Sequence, residues 1–105
     1  MVEAKPKILN VLKLIRERVQ TGDFIILPHA ILRQAERNIS VPDIVFVLTH
    51  GEHETERDEF KAAFGSWNYL ICGKTVDSRT LRVAVAFDAH DMLIVTVIPL
   101  GKRRV

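Results

Sequence analysis

Residues 66–98 read SWNYLICGKTVDSRTLRVAVAFDAHDMLIVTVI. In Ser66–Cys72 the large residues Trp67, Tyr69 and Ile71 alternate with smaller ones. Leu81, Val83, Val85 and Phe87 then alternate with Arg82, Ala84 and Ala86. A period of two places each set on one face of a strand. Met92–Ile98 is apolar on both faces apart from Thr96, the pattern of a central strand. Gly73-Lys74 through Asp77-Ser78, and Asp88-Ala89-His90-Asp91, supply turn chemistry between these runs. Short connections join neighbouring strands only when they run antiparallel.

Working toward the N-terminus, Glu52, Glu54 and Glu56 alternate with His53, Thr55 and Arg57, which predicts an edge strand over Glu52–Asp58 with a charged outer face. Ser40-Val41-Pro42-Asp43 opens a helix: Ser40 is a natural N-cap, Asp43 completes a capping box and Pro42 suits the first turn. That helix carries Ile44, Val45, Val47 and Leu48 and ends near Gly51. Before it, His29 to Arg37 predicts a helix with Ile31, Leu32, Ala35 and Ile39 on its inner side, closed by Asn38 in the left-handed conformation. Phe24-Ile25-Ile26-Leu27 predicts a short strand stopped by Pro28. Ile8, Leu9, Leu12, Ile15 and Val19 recur at helical spacing, predicting an amphipathic helix from about Ala4 to Gln20 capped by Gly22.

The expected fold is therefore α+β, in the order α-β-α-α-β-β-β-β. An antiparallel sheet of four to five strands carries three helices packed mainly on one face. A chain of 105 residues accommodates one domain over 1–105, with an N-terminal helix at 1–21, an α+β core at 22–99 and a basic tail at 100–105. Apolar residues make up 48%, enough for one core. The net charge of +2 is segregated, with bases in Lys13 to Arg18, in Arg33 and Arg37, and in Lys102-Arg103-Arg104, and acids between Glu52 and Glu59. Cys72 is alone, which excludes an internal disulfide or a thiolate metal cluster. The first twenty residues have no signal-peptide pattern and no apolar run approaches membrane-spanning length, so the cytoplasm is the expected location.

Chemistry centres on the second helix. Residues four apart differ by about 40° around a helix axis, so His29, Arg33 and Arg37 form one stripe. His29 sits at the helix start, where free amides and the partial positive charge of the backbone welcome a phosphate. That field, with Arg33 one turn on, disfavours the imidazolium and suits a general base. Arginine forks match phosphate oxygens. This set fits RNA cleavage without a metal, with His29 as base or acid and Arg33 and Arg37 as clamps; it equally fits a non-catalytic module binding RNA or a protein through the same stripe. Arg57 joins the clamp if its edge packs near the helix, or pairs with its acidic neighbours. Trp67 stacks a base or packs in the core, and Lys102, Arg103 and Arg104 contact RNA backbone or form a free basic terminus. His50 and His53 straddle a helix-to-strand junction and nothing nearby completes a metal site, so no metal or other cofactor is expected. No glycine loop for phosphate and no nucleophilic cysteine arrangement occurs.

The run Leu27-Pro28-His29-Ala30-Ile31-Leu32-Arg33-Gln34-Ala35-Glu36-Arg37-Asn38-Ile39-Ser40 resembles the HAxxRxxERxI signature of the DUF4258 family. An acidic strand after Gly51-Glu52, a glycine-bearing strand and the closing Ile94-Val95-Thr96-Val97 strand extend the resemblance from about Gly22 onward. That family is similar to the RelE/BrnT/MqsR group of small toxins, which implies a RelE/barnase-like fold, metal-independent endoribonuclease activity and a zinc-finger antitoxin of the YgiT type. The motif carries His29, Arg33 and Arg37 across, with Arg57 and Thr96 matched more loosely. Asn38 stands where the family usually has glycine, and Ile98 where a tyrosine often follows the Thr-Val pair.

Overall fold

The computed structural model describes residues 5–100. Along the chain lie α1 (Val11–Thr21), β1 (Phe24–Ile26), α2 (Pro28–Glu36), α3 (Val41–His50), β2 (Glu52–His53), a 3-10 turn (Thr55–Arg57), β3 (Glu59–Lys61), β4 (Ser66–Lys74), β5 (Thr80–Phe87) and β6 (Met92–Leu100). The protein is α+β, with three helices and one mixed sheet among the described residues. Strands run in the order β1-β6-β5-β4-β2, and β3 sits beside β2 on the outer edge of β4.

The three long strands pair antiparallel as their alternation predicts. Tyr69, Ile71, Leu81, Val83, Val85, Met92, Ile94 and Val97 form one buried face. A bulge at Val95 lets Ile94 and Val97, three residues apart, both point inward. Val11 and Ile15 of α1 and Ile44, Val47 and Leu48 of α3 complete the core, with Ala30 and Ile39 reaching into it. Each fully buried aliphatic side chain contributes roughly 1.5–3 kcal/mol. The strand expected to be central, Met92–Ile98, lies in β6, which pairs with β5 along its length but with β1 only over Met92–Ile94.

Helix ends follow the local chemistry. Ser40 accepts from the Asp43 amide while the Asp43 carboxylate accepts from the Ser40 amide, closing the capping box. Gly22 (φ 76°) and Asn38 (φ 55°) take the left-handed conformation that ends α1 and α2. Where α3 hands over to β2, a side chain on Gly51 would come within 2.6 Å of the Cys72 and Val47 carbonyl oxygens. The Arg16 guanidinium donates to the Gly51 carbonyl at 3.0 Å and ties α1 to this junction.

Four expectations need correction. The sheet has six strands and is mixed, because β1 pairs parallel with β6; everything between them serves as the crossover a parallel pair requires. The first helix starts at Val11 rather than near Ala4, behind Asn10 in the left-handed conformation. Lys5 to Leu9 form an arm instead, in which Leu9 is almost wholly exposed. The arm is held by polar contacts: Trp67 Nε1 donates to the Lys5 carbonyl at 2.6 Å, and the Ile8 amide donates to the Tyr69 hydroxyl at 2.9 Å. Glu52–Asp58 is not one strand. Pairing stops after His53, the chain swings out through the 3-10 turn, and Glu59–Lys61 resumes pairing as β3. The buried Asp58 carboxylate enforces that detour, since it accepts from the Leu70 amide at 3.1 Å and from His53 Nε2 at 2.8 Å. Finally, Ile31 and Leu32 of α2 are more than half exposed; the inner face is Ala30, Arg33, Gln34 and Arg37.

Candidate functional site

The inversion of α2 has a cause in β6. β1 covers the outer edge of β6 only from Met92 to Ile94, with one further bond from the Leu27 amide to the Ile94 carbonyl. Beyond that the edge needs donors, and α2 lies along it. Ala30, fully buried, permits the close approach. Arg37, one residue past the helix, donates to the Val97 carbonyl at 2.9 Å. Residues 30, 33, 34 and 37 share one helical stripe, so the arginine that meets β6 brings Arg33 inward and turns Ile31 and Leu32 outward.

Arg33 and His29 are brought together. Arg33 Nε lies 3.5 Å from His29 Nε2, at the outer limit of hydrogen bonding. Arginine only donates, so His29 Nε2 is the acceptor side of this contact. Arg33 also pairs with the Glu36 carboxylate at 3.0 Å, its own side chain partly exposed and that of Glu36 about half exposed. His29 is exposed at the first turn of a helix that begins with Pro28 and has no side-chain cap. One stripe thus holds an imidazole, a guanidinium shared with a carboxylate, and a second guanidinium anchored on the sheet edge.

The structure does not bring Arg57 to this stripe. It sits in the 3-10 turn beside β2, on the opposite edge of the sheet, roughly 19 Å away at about 4.8 Å per strand. There it pairs with Glu54 at 3.6 Å. Trp67 packs against the core edge-on to Phe60, with Lys7 4.8 Å above its ring. Thr96 pairs with Ala84 on the open face of the sheet, away from the helices. Lys102, Arg103 and Arg104 lie outside the described residues. His53 is bound to Asp58, and among the described residues no three metal-ligating side chains converge. No described helix is long and apolar enough to cross a membrane.

Nothing in the residue pattern foreshadows the ion pair on the open face. Arg82 of β5 forks onto Glu54, with Nε 2.5 Å from one carboxylate oxygen and Nη2 3.2 Å from the other. Only a chain bent outward after His53 brings Glu54 into that reach. The Arg82 hydrogen bonds hold the Glu54 carboxyl below its ordinary value, while burial pushes the neighbouring Cys72 thiol up. A carboxyl depressed in the folded state stabilises above its unfolded value of 4.5, and that contribution is lost as pH falls through the lower folded value. Glu54→Gln is therefore expected to flatten the acid limb of stability below about pH 4.5, read by urea unfolding at stepped pH. An unaltered limb would show that other carboxylates set it.

No curated protein and no solved structure matches the chain. The matching family model spans residues 26–99, from the end of β1 through β6, and so includes the whole α2 stripe together with the sheet it is anchored to. The chain belongs to the family described as domain of unknown function DUF4258.

Proposed function

We propose that the protein is a toxin-like endoribonuclease that cleaves RNA at the α2 stripe, with a RelE-like relationship and an antitoxin partner as corollaries. The observation that supports it is the His29–Arg33 pair, in which an exposed imidazole and a guanidinium that can fork onto phosphate lie side by side, 3.5 Å apart. His29 Nε2 takes the proton of a ribose 2′-hydroxyl. The 2′-oxygen closes on phosphorus, and the P–O5′ bond breaks to leave a 2′,3′-cyclic phosphate. The departing 5′-oxygen takes a proton from water. Arg33 and Arg37 neutralise the crowded phosphorane. His29, the two arginines and solvent water supply every role in this step, so no metal is needed to write it.

Incubation of the purified chain with end-labelled single-stranded RNA in excess EDTA tests the reading. Fragments ending in 2′,3′-cyclic phosphate are expected; intact RNA both alone and with ribosomes present would overturn it. A second expectation concerns Glu36, which competes with phosphate for Arg33. Because an exposed pair of this kind is worth about 0.2–1 kcal/mol, Glu36→Gln is expected to tighten binding of a non-cleavable 2′-O-methyl oligonucleotide about threefold. Unchanged affinity in low-salt fluorescence anisotropy would remove Arg33 from phosphate contact.

The same residues also carry the non-catalytic alternative, favoured by one observation: Arg33 and Arg37 are both already engaged, with Glu36 and Val97. That reading expects salt-sensitive binding without fragments.

A further inference from the structure

The helices leave the second face of the sheet open. Its centre is floored by short side chains, and toward the β3–β4 turn it deepens into a groove of about 790 Å³. Asn68, Ala86 and Leu93 floor it, and Lys5, Lys61 and Phe64 stand on its rim. Leu27 lines it too, and the next residue, Pro28, begins α2, so the groove runs up to the start of the helix that carries His29.

Phe64 is the feature that the fold does not explain. It is 82% exposed at a turn tip, where its amide donates to the Lys61 carbonyl at 3.0 Å. That turn places Phe64 and Lys61 on one rim, the Lys61 ammonium pairing at 2.9 Å with the exposed Glu59 carboxylate, from which a phosphate can draw it, and Lys5 also lines the mouth. The acidic group at the groove, Asp88, is turned to its own loop: its carboxylate accepts the His90 and Asp91 amides, which also hold it below its ordinary value. The groove therefore offers a π-face, a low apolar floor with one amide, and cations at the edge. A flat base joined to a phosphate matches all three. An aliphatic peptide would match the floor but use neither the ring nor the ammonium groups.

We infer that this groove is a subsite for unpaired RNA, in which one base stacks on Phe64 while Lys5 and Lys61 meet the flanking phosphates. The inference rests on the reading of the protein as an RNA-acting one, and it adds the track by which a strand reaches His29.

The test is equilibrium binding of a fluorescein-labelled 2′-O-methyl hexanucleotide, which cannot be cleaved, to the full chain by anisotropy at low salt. Phe64→Ala removes an exposed ring and keeps the fold, checked by circular dichroism. It is expected to weaken binding about tenfold, the size of one base–aromatic stack. Lys61→Ala is expected to lower the slope of log affinity against log salt by about 0.7, the value for one phosphate contact on a single strand. If the parent binds and Phe64→Ala binds equally well, the groove is overturned while the α2 reading stands. If the folded parent binds no RNA at all, both fail. Binding of a fluorescein-labelled acidic peptide that is weakened by Phe64→Ala, with no binding of the hexanucleotide, assigns the groove to a protein partner and overturns the inference.

Discussion

His29→Ala is expected to lower RNA cleavage by at least ~10²-fold, the range a positioned general base supplies, while leaving thermal stability almost unchanged. The second half of that expectation follows from geometry. His29 is exposed, and among the described residues its one side-chain hydrogen bond is the long approach from Arg33 at 3.5 Å. Surface substitutions of this kind stay within about 0.5 kcal/mol. The loss would therefore be chemical rather than structural. Arg33→Lys sharpens the result, because an ammonium keeps the charge but loses the planar fork that meets two phosphate oxygens. It should lower cleavage while leaving oligonucleotide binding within a few-fold of the parent. Parallel cleavage time courses and melting curves read both outcomes. Full cleavage by His29→Ala would remove His29 from the mechanism. An equal loss of binding and cleavage would instead make His29 a recognition residue and leave the general base to be sought elsewhere.

The difference between what the sequence made legible and what it hid is itself physical. Residues 66–98 declared three strands because each face of a strand meets one environment, and alternation records that directly. The capping box at Ser40 and the left-handed positions at Gly22 and Asn38 were equally legible, being set within a few residues. The errors arose where a tertiary partner outweighed the local pattern. Ile31 and Leu32 suggested a buried face for α2, but the incompletely paired edge of β6 recruits Arg37 and turns the helix around. Glu52–Asp58 alternated as a strand, but the carboxylate of Asp58 is drawn inward and breaks the pairing. The site divided along the same line. His29 and Arg33 lie on α2 and Arg37 one residue past it, so their alignment was legible from spacing; the Phe64 groove joins side chains from distant segments and has no sequence periodicity. Family membership places the stripe in its fold but leaves its chemistry to be tested.

Asp58 carries the largest expected effect on stability. Its side chain is completely buried and gathers three donors from three parts of the chain: Lys7 Nζ at 3.0 Å, His53 Nε2 at 2.8 Å and the Leu70 amide at 3.1 Å. It thereby joins the N-terminal arm, the end of β2 and the middle of β4. Asp58→Ala would take the acceptor from His53 and the Leu70 amide in a half-closed site, while Lys7 keeps its bond to the Thr55 carbonyl at 3.2 Å. Breaking a buried ion pair by removing one partner costs about 3–5 kcal/mol, and the partial exposure of Lys7 and His53 places this case near the lower end. Against a typical total of about 5–15 kcal/mol, that is a large share. Asp58→Asn keeps an acceptor for the Leu70 amide and should cost less. Lys7→Ala should cost less still, because that ammonium can be replaced by water. Urea unfolding of the three variants gives the ranking. Limited proteolysis adds a local readout: Lys7→Ala should expose the Lys5–Leu9 arm to cleavage before the sheet opens. A loss below about 1 kcal/mol for Asp58→Ala, the size of an ordinary exposed pair, would mean that the Trp67 and Tyr69 contacts hold the arm without it.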